Sequence, residues 1–297
     1  MLFSKKSGAE KRAQFKKGLS SGKLQRFPGA FSPYIALMIE QTGFDGVYIS
    51  GAGIANDLAL PDIGLTNQNE VVERARNISR VTELPTLVDI DTGFGEPMSV
   101  SRTVREMEDL GISGCHLEDQ INPKRCGHLD GKGLVSADEM VRKVQAAAKA
   151  KRDSNFVIMA RTDAAASEGL AKAIERAQAY VDAGADAIFP EALYTEQDFE
   201  TFRKAIKVPL LANMTEFGKS KLLTRKQLEN LGYNMVIYPM TAFRLAMKAI
   251  EDGLKEIETK GTQEGLVEKM QTRARLYEVL KYEDYNVFDQ KLFNFKV

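Results

Sequence analysis

Tryptophan is absent from this chain, and cysteine and histidine occur only twice each. The two cysteines, Cys115 and Cys126, stand ten residues apart without accompanying ligand pairs. That excludes a disulfide framework and a zinc signature, and it fits a reducing, cytoplasmic setting. Charge of one sign is also lacking: 41 basic residues balance 41 acidic ones, so nothing points to nucleic acid as a partner. Charges interrupt every apolar run before the roughly 20 residues that a bilayer requires, so no membrane partner is expected. The basic start (Lys5, Lys6, Lys11, Arg12, Lys16, Lys17) is broken by Glu10 and has no signal-type apolar core behind it. It reads as a solvated helix, with a weak organellar signal as the alternative.

What is present is a rhythm. From Phe27 onward, short β-rich runs alternate with amphipathic stretches, the pattern of parallel strands joined by crossover helices. The expected strands are 26–30, 46–50, 86–90, 114–118, 156–160, 187–190, 210–213 and 235–238, and the expected helices between them are 33–41, 69–80, 100–110, 137–151, 168–183, 196–205 and 225–231. Eight such units imply an α/β fold of the closed (β/α)8, or TIM-type, class, with a doubly wound open sheet as the runner-up. One domain spans 1–297, with an N-terminal helical segment over 1–25. Two further helices, 242–259 and 264–280, exceed what closure needs, so the extension 264–297 is a candidate for exchange between subunits. The longest irregular connection, 122–136, is polar and glycine-containing, as functional lids are.

A barrel of this class carries its chemistry at the carboxyl ends of the strands. Asp89 and Asp91 lie two residues apart, which on a regular strand aims both toward the barrel axis, and Glu118 ends the neighbouring strand. Three such carboxylates suit a hard ion such as Mg²⁺, whereas any one alone reads as a solvated acid. The run Lys124, Arg125, Cys126, Gly127, His128 sets a thiol among cations beside a glycine; positive neighbours lower a thiol pKa and make Cys126 a candidate acid. Cys115 and His116 read as a core residue and a structural hydrogen-bonder. Arg161, Arg244 and Arg273 are candidates for bidentate clamps on carboxylates. Ser50, Gly51 and Ala52 offer hydroxyl and backbone N–H donors in a small-residue turn.

Taken together, these residues resemble the isocitrate lyase and phosphoenolpyruvate mutase superfamily. The most specific match is KRCGH from Lys124; YISGAG from Tyr48, LPDIG from Leu60, VDIDTGFG from Val88, HLEDQ from His116, MARTDA from Met159, FPEA from Phe189, LLANMTEFG from Leu210 and MQTR from Met270 support it over 27–282. The resemblance implies a barrel whose terminal helix is swapped between subunits of a homotetramer. It implies Mg²⁺, with Mn²⁺ as a substitute, on Asp89 and Asp91, and with Asp62 and Glu118 reaching it through water. Cys126 would be the catalytic acid. Ser50, Gly51, Ala52, Lys124, Gly127, His128, Arg161, Glu191, Asn213, Thr215, Arg244 and Arg273 would surround a small tricarboxylate. Ala52 departs from the second glycine that relatives often carry, at a position where the donor is a backbone N–H.

The implied activity is carbon–carbon cleavage, in the branch that splits 2-methylisocitrate into pyruvate and succinate within propionate catabolism by the methylcitrate cycle. Phe189 with Pro190, and Ile237 with Tyr238 and Pro239, are candidates for an apolar wall against the methyl group. Tyr48 is a candidate initial base, with a structural role equally open; His128 joins it and Cys126 as a catalytic candidate. The alternatives are isocitrate or an oxaloacetate-like compound as substrate, and a catalytically silent dicarboxylate-binding barrel.

Overall fold

The computed structural model describes residues 3–125, 127 and 131–293. Its eight strands are β1 (Gln25–Pro28), β2 (Val47–Ile49), β3 (Thr86–Asp89), β4 (Gly114–Glu118), β5 (Val157–Thr162), β6 (Ala187–Pro190), β7 (Leu211–Asn213) and β8 (Met235–Tyr238). Strands β2 through β8 carry apolar runs without strict alternation because both faces are covered: their inner side chains fill the barrel and their outer ones meet helices.

Every pairing between these eight strands is parallel. β2 to β6 pair in chain order and β7 pairs with β8, which pairs in turn with β1. Bridges from Gly29 to Tyr48 and from Ile188 to Leu210 join the two groups on both sides. The sheet therefore closes on itself, which decides for the barrel over the open sheet.

Inside it, Phe27, Tyr48, Leu87, Met159, Phe189 and Ile237 share one cluster with Phe15 and Leu19. Those last two come from the helix Gly8–Leu19, so the start of the chain is not wholly solvated: Phe15 is 1% and Leu19 2% exposed, and together they plug the barrel floor. The basic residues dominate the segment's composition, but its i, i+4 apolar pair settles where it docks.

Other departures are local. Ser50 caps a short helix, Gly51–Asp57, where a turn was expected. Glu168–Ala183 begins instead at Leu170, after Gly169 at φ 90°, a conformation that only glycine takes easily. The expected helix 264–280 divides into a 3₁₀ turn, Glu264–Lys269, and a helix, Arg273–Val279, because Thr272 turns away to cap the second by accepting the Arg275 amide. A further helix, Tyr282–Phe293, follows. The long helix Thr241–Lys260 has no buried residue, and Leu245, Ile250 and Leu254 are 68%, 52% and 63% exposed.

Candidate active site

At the carboxyl ends of the strands lies a small cavity lined by, among others, Tyr48, Asp62, Asp89, Lys124, Arg161 and Glu191. Ser50, Ala52, Gly127, Asn213, Thr215 and Arg244 also line it, so residues far apart in the chain converge there. Cys126 and His128 lie outside the described residues. Arg273 is exposed on the helix Arg273–Val279 and does not line the cavity of its own chain.

Asp89 and Asp91 do converge, though not by strand alternation. β3 ends at Asp89, and Asp91 sits at φ 48°, a left-handed turn in which its amide donates to Asp89 Oδ1 at 3.0 Å. Asp is among the residues that tolerate this conformation through such local hydrogen bonds. The other wall of the turn is Gly51, whose amide donates to Asp89 Oδ2 at 3.3 Å. A Cβ at Gly51 would stand 3.0 Å from Asp89 Oδ2 and 3.1 Å from Asp91 Oδ1. Both carboxylates thus meet over a backbone kept bare of side chain.

Two cations compensate this charge. Lys124 pairs with Asp62 and, at 2.9 Å, with Asp91 Oδ1. Burial works against its charge, but Asp91, Glu118, Asp62 and Asp89 outweigh that and hold the ammonium well above its ordinary range. Arg161 gives Nε and Nη2 to Asp163 at 2.8 and 3.1 Å, and lies 3.1 Å from Glu118 and 3.5 Å from Glu191. It also stacks 5.1 Å over the Phe189 ring. Asn213 Nδ2 donates to Glu191 Oε2 at 3.2 Å.

The carboxylates respond differently. Burial and the neighbouring Asp89 raise Asp91 to about 6 despite Lys124. Burial lifts Glu118 well above the carboxylate range against Arg161 and Lys124. At Asp89 burial is outweighed by His116, Lys124, Arg161 and the Asp91 amide, so its carboxyl lies below the ordinary range. Tyr48 O–H lies 2.8 Å from His116 Nε2 and 3.5 Å from Asp89 Oδ2. Burial and Asp89 push its phenol well above the ordinary range, while burial drives His116 down to about 4.

Asp91 Oδ1 and both oxygens of Glu118 are buried and, apart from the ion pairs of Asp91 with Lys124 and of Glu118 with Arg161, have no hydrogen-bond partner. Among the described residues no three acidic, histidine or cysteine groups converge into a ready cage. A hard divalent ion that keeps several waters needs no such cage: one or two carboxylates suffice, with others acting through water. The oxygen-only donor set fits Mg²⁺ on that basis.

Sequence reasoning missed several members. Asp163 was visible beside Arg161, but nothing local marked it as the Arg161 anchor. Asn56 and Met240 reach the cavity only through folding. Of the expected apolar wall, Phe189, Ile237 and Pro239 line the cavity; Tyr238 alternates outward to a groove with Arg26 and Ile35.

Barrel and mouth together define an enzyme site of the (β/α)8 class, built around paired carboxylates, two buried cations and a small polar cavity. The chain belongs to the phosphoenolpyruvate phosphomutase family, whose model matches residues 15–258. Its likeness to the 2-methylisocitrate lyases is greater in extent: it is 62% identical over 297 residues to "Probable 2-methylisocitrate lyase 1" of Corynebacterium glutamicum, with 99% of this chain and 97% of that one covered. A 2-methylisocitrate lyase of Aeropyrum pernix is 49% identical over 89% of this chain and 85% of its own. Among solved structures, an oxaloacetate acetylhydrolase with 3,3-difluorooxalacetate superposes with a TM-score of 0.91 at 34% identity, covering 98% of this chain and 99% of that one. A phosphonopyruvate hydrolase complexed with oxalate and Mg²⁺ does so at 0.85 and 29%, covering 96% and 99%.

Proposed function

We propose that the protein cleaves 2-methylisocitrate into pyruvate and succinate, the reaction that serves propionate breakdown by the methylcitrate cycle. Identity of 62% along the whole chain to a relative of that name carries the substrate. The meeting of Asp89 and Asp91 at Gly51, opposite Arg161, supports the chemistry.

Asp89 and Asp91 would hold Mg²⁺ or Mn²⁺, with Asp62 and Glu118 acting through water, and the ion would ease loss of the substrate hydroxyl proton. Lys124, Arg161 and Arg244 bind substrate carboxylates, with Ser50, Gly51, Ala52, Gly127, Glu191, Asn213 and Thr215 around them. Tyr48 is the candidate base for the hydroxyl proton: it would act as the phenolate, the form that Arg161 favours against burial and Asp89. The breaking carbon–carbon bond leaves its electron pair on the succinate half, where Arg161, Asn213 and His128 stabilise the charge. Cys126 then delivers a proton to that carbon. Arg273, away from the cavity of its own chain, is left out of this clamp.

Among the described residues no helix is long and apolar enough to cross a membrane; a catalytic role for the Cys126 thiol argues for a reducing setting such as the cytoplasm. A homotetramer with exchanged C-terminal helices is supported by the wholly unburied helix Thr241–Lys260 and by the apolar groove beside it, lined by Ile35, Met38, Phe44 and Tyr238.

Steady-state kinetics with 2-methylisocitrate and with isocitrate, each in Mg²⁺ and in EDTA, test this reading. Preference for the methylated substrate and loss of turnover in EDTA are expected. Equal or better efficiency on isocitrate would overturn the substrate, and full activity in EDTA the metal.

A further inference from the structure

Lys132 takes no part in the chemistry above and does not line the cavity, yet its side chain is only 3% exposed. Its starting point is set by a short antiparallel return. The Ile121 amide donates to the Gly133 carbonyl at 2.9 Å, the Val135 amide to the Asp119 carbonyl at 3.0 Å, and Gln120 bridges Leu134. From this base the ammonium donates to the Gly127 carbonyl and pairs with Asp163 Oδ1 at 2.8 Å.

Asp163 is fully buried and is the carboxylate that receives two hydrogen bonds from Arg161. Arg161 already faces Glu118 and Glu191, so one guanidinium is shared among three buried acids. A buried carboxylate is tolerated when a cation of its own compensates it, and Lys132 supplies that second charge at Asp163. The far end of the same ammonium's reach is sterically demanding. A Cβ on Gly127 would stand 2.3 Å from Arg161 Nη2 and 2.6 Å from Glu191 Cγ. The Gly127 backbone must therefore lie directly on the Arg161–Glu191 pair, and Lys132 is what ties its carbonyl down.

We infer that Lys132 is a positioning residue that locks the Gly127 backbone and the Arg161 guanidinium into one geometry, by joining the Gly127 carbonyl to the carboxylate that orients Arg161. It acts through these two groups. Its kinetic consequence rests on the lyase reading, and its structural consequence does not.

The test compares wild type with K132M and K132R in turnover of 2-methylisocitrate and in amide hydrogen exchange. K132M is expected to lower kcat by about 30- to 100-fold with KM changed less than about threefold, the loss typical of a misplaced site. Exchange over 121–134 should quicken by at least about tenfold while the barrel strands keep their protection. K132R, which keeps charge and donors, should hold kcat within about fivefold and retain that protection. The inference is overturned if K132M matches wild type in both readouts, if turnover falls while exchange over 121–134 is unchanged, or if exchange rises throughout the barrel. Should K132M not fold, K132Q carries the same comparison, since it keeps a donor for the Gly127 carbonyl without the charge for Asp163. Should wild type fail to cleave 2-methylisocitrate, the lyase reading falls, and the exchange comparison alone still decides the role of Lys132.

Discussion

The two sides of the barrel mouth are built on opposite principles. Around β3, β4 and β5, Asp89, Asp91, Glu118, Lys124, Arg161 and Asp163 are all at most 6% exposed and are held by one another. Around β7 and β8, the rim is Ile237, Pro239 and Met240 with Asn213 and Thr215, and its charge is the loose pair of Arg244, 46% exposed, with Glu216 3.8 Å away. The first side resists movement because each buried charge needs its partners in place, whereas the second costs little to displace. On the proposed reading, strength of binding and charge stabilisation fall to the buried side, and choice of substrate to the apolar rim.

That division can be broken by mutation. The largest effect is expected from Asp91→Ala, which removes one of the two acids at Gly51: kcat should fall by about a thousandfold, the scale of a several-kcal/mol loss of metal catalysis. Titration of Mg²⁺ against residual activity checks it, and near-wild-type turnover would undo the assignment. Arg161→Lys comes next, at roughly a hundredfold in kcat/KM, because an ammonium cannot reproduce the paired hydrogen bonds to Asp163 while facing Glu118.

On the apolar side the expected change is in preference more than in rate. Ile237→Ala should cut the ratio of efficiencies, 2-methylisocitrate over isocitrate, by about tenfold, the worth of a methyl contact. An unchanged ratio would place the methyl elsewhere in the cavity. Arg244→Ala should cost less than Arg161→Lys, about three- to tenfold in KM, as suits a half-exposed clamp.

The smallest effect lies behind the charged wall. Glu168 receives Nε and Nη2 of Arg176, both at 2.7 Å, and Arg176 in turn holds the Val135 carbonyl at 2.9 Å. The Arg176 hydrogen bond keeps the Glu168 carboxyl below its ordinary range, so folding favours its ionised form. The contribution is present above the unfolded-state value and is lost as pH falls through the folded one. Glu168→Gln should therefore lower Tm by about 1–2 °C at neutral pH, and melting curves of the two proteins should merge once pH drops below the carboxylate range. A gap that persists in acid would argue against the ion pair as its source.

How much of this was legible differs by element. Strand positions were readable because a doubly covered strand and an amphipathic helix each leave a local, periodic mark: β4 and β8 begin and end where the apolar runs do. Placement of Asp89, Glu118, Arg161 and Glu191 at strand ends followed from that count, since closure sends every carboxyl end to one face. The long helix Thr241–Lys260 was equally visible, and its lack of a buried face was not. An amphipathic stripe says that something covers it without saying what does.

Sequence alone determined the class of fold, the strand ends that carry polar groups and, through the KRCGH resemblance, the kind of chemistry. Tertiary structure decided the rest. It took a left-handed turn at Asp91 and a bare Gly51 to bring two acids together, and the barrel's register to set Glu118 across from Arg161, whose other partner, Asp163, follows two residues on. It also left Arg273 outside the cavity and drew Lys132 beneath Gly127. The reason is range: periodicity is written over a few neighbouring residues, while the partner of a buried charge lies on another strand and is chosen only when the sheet closes.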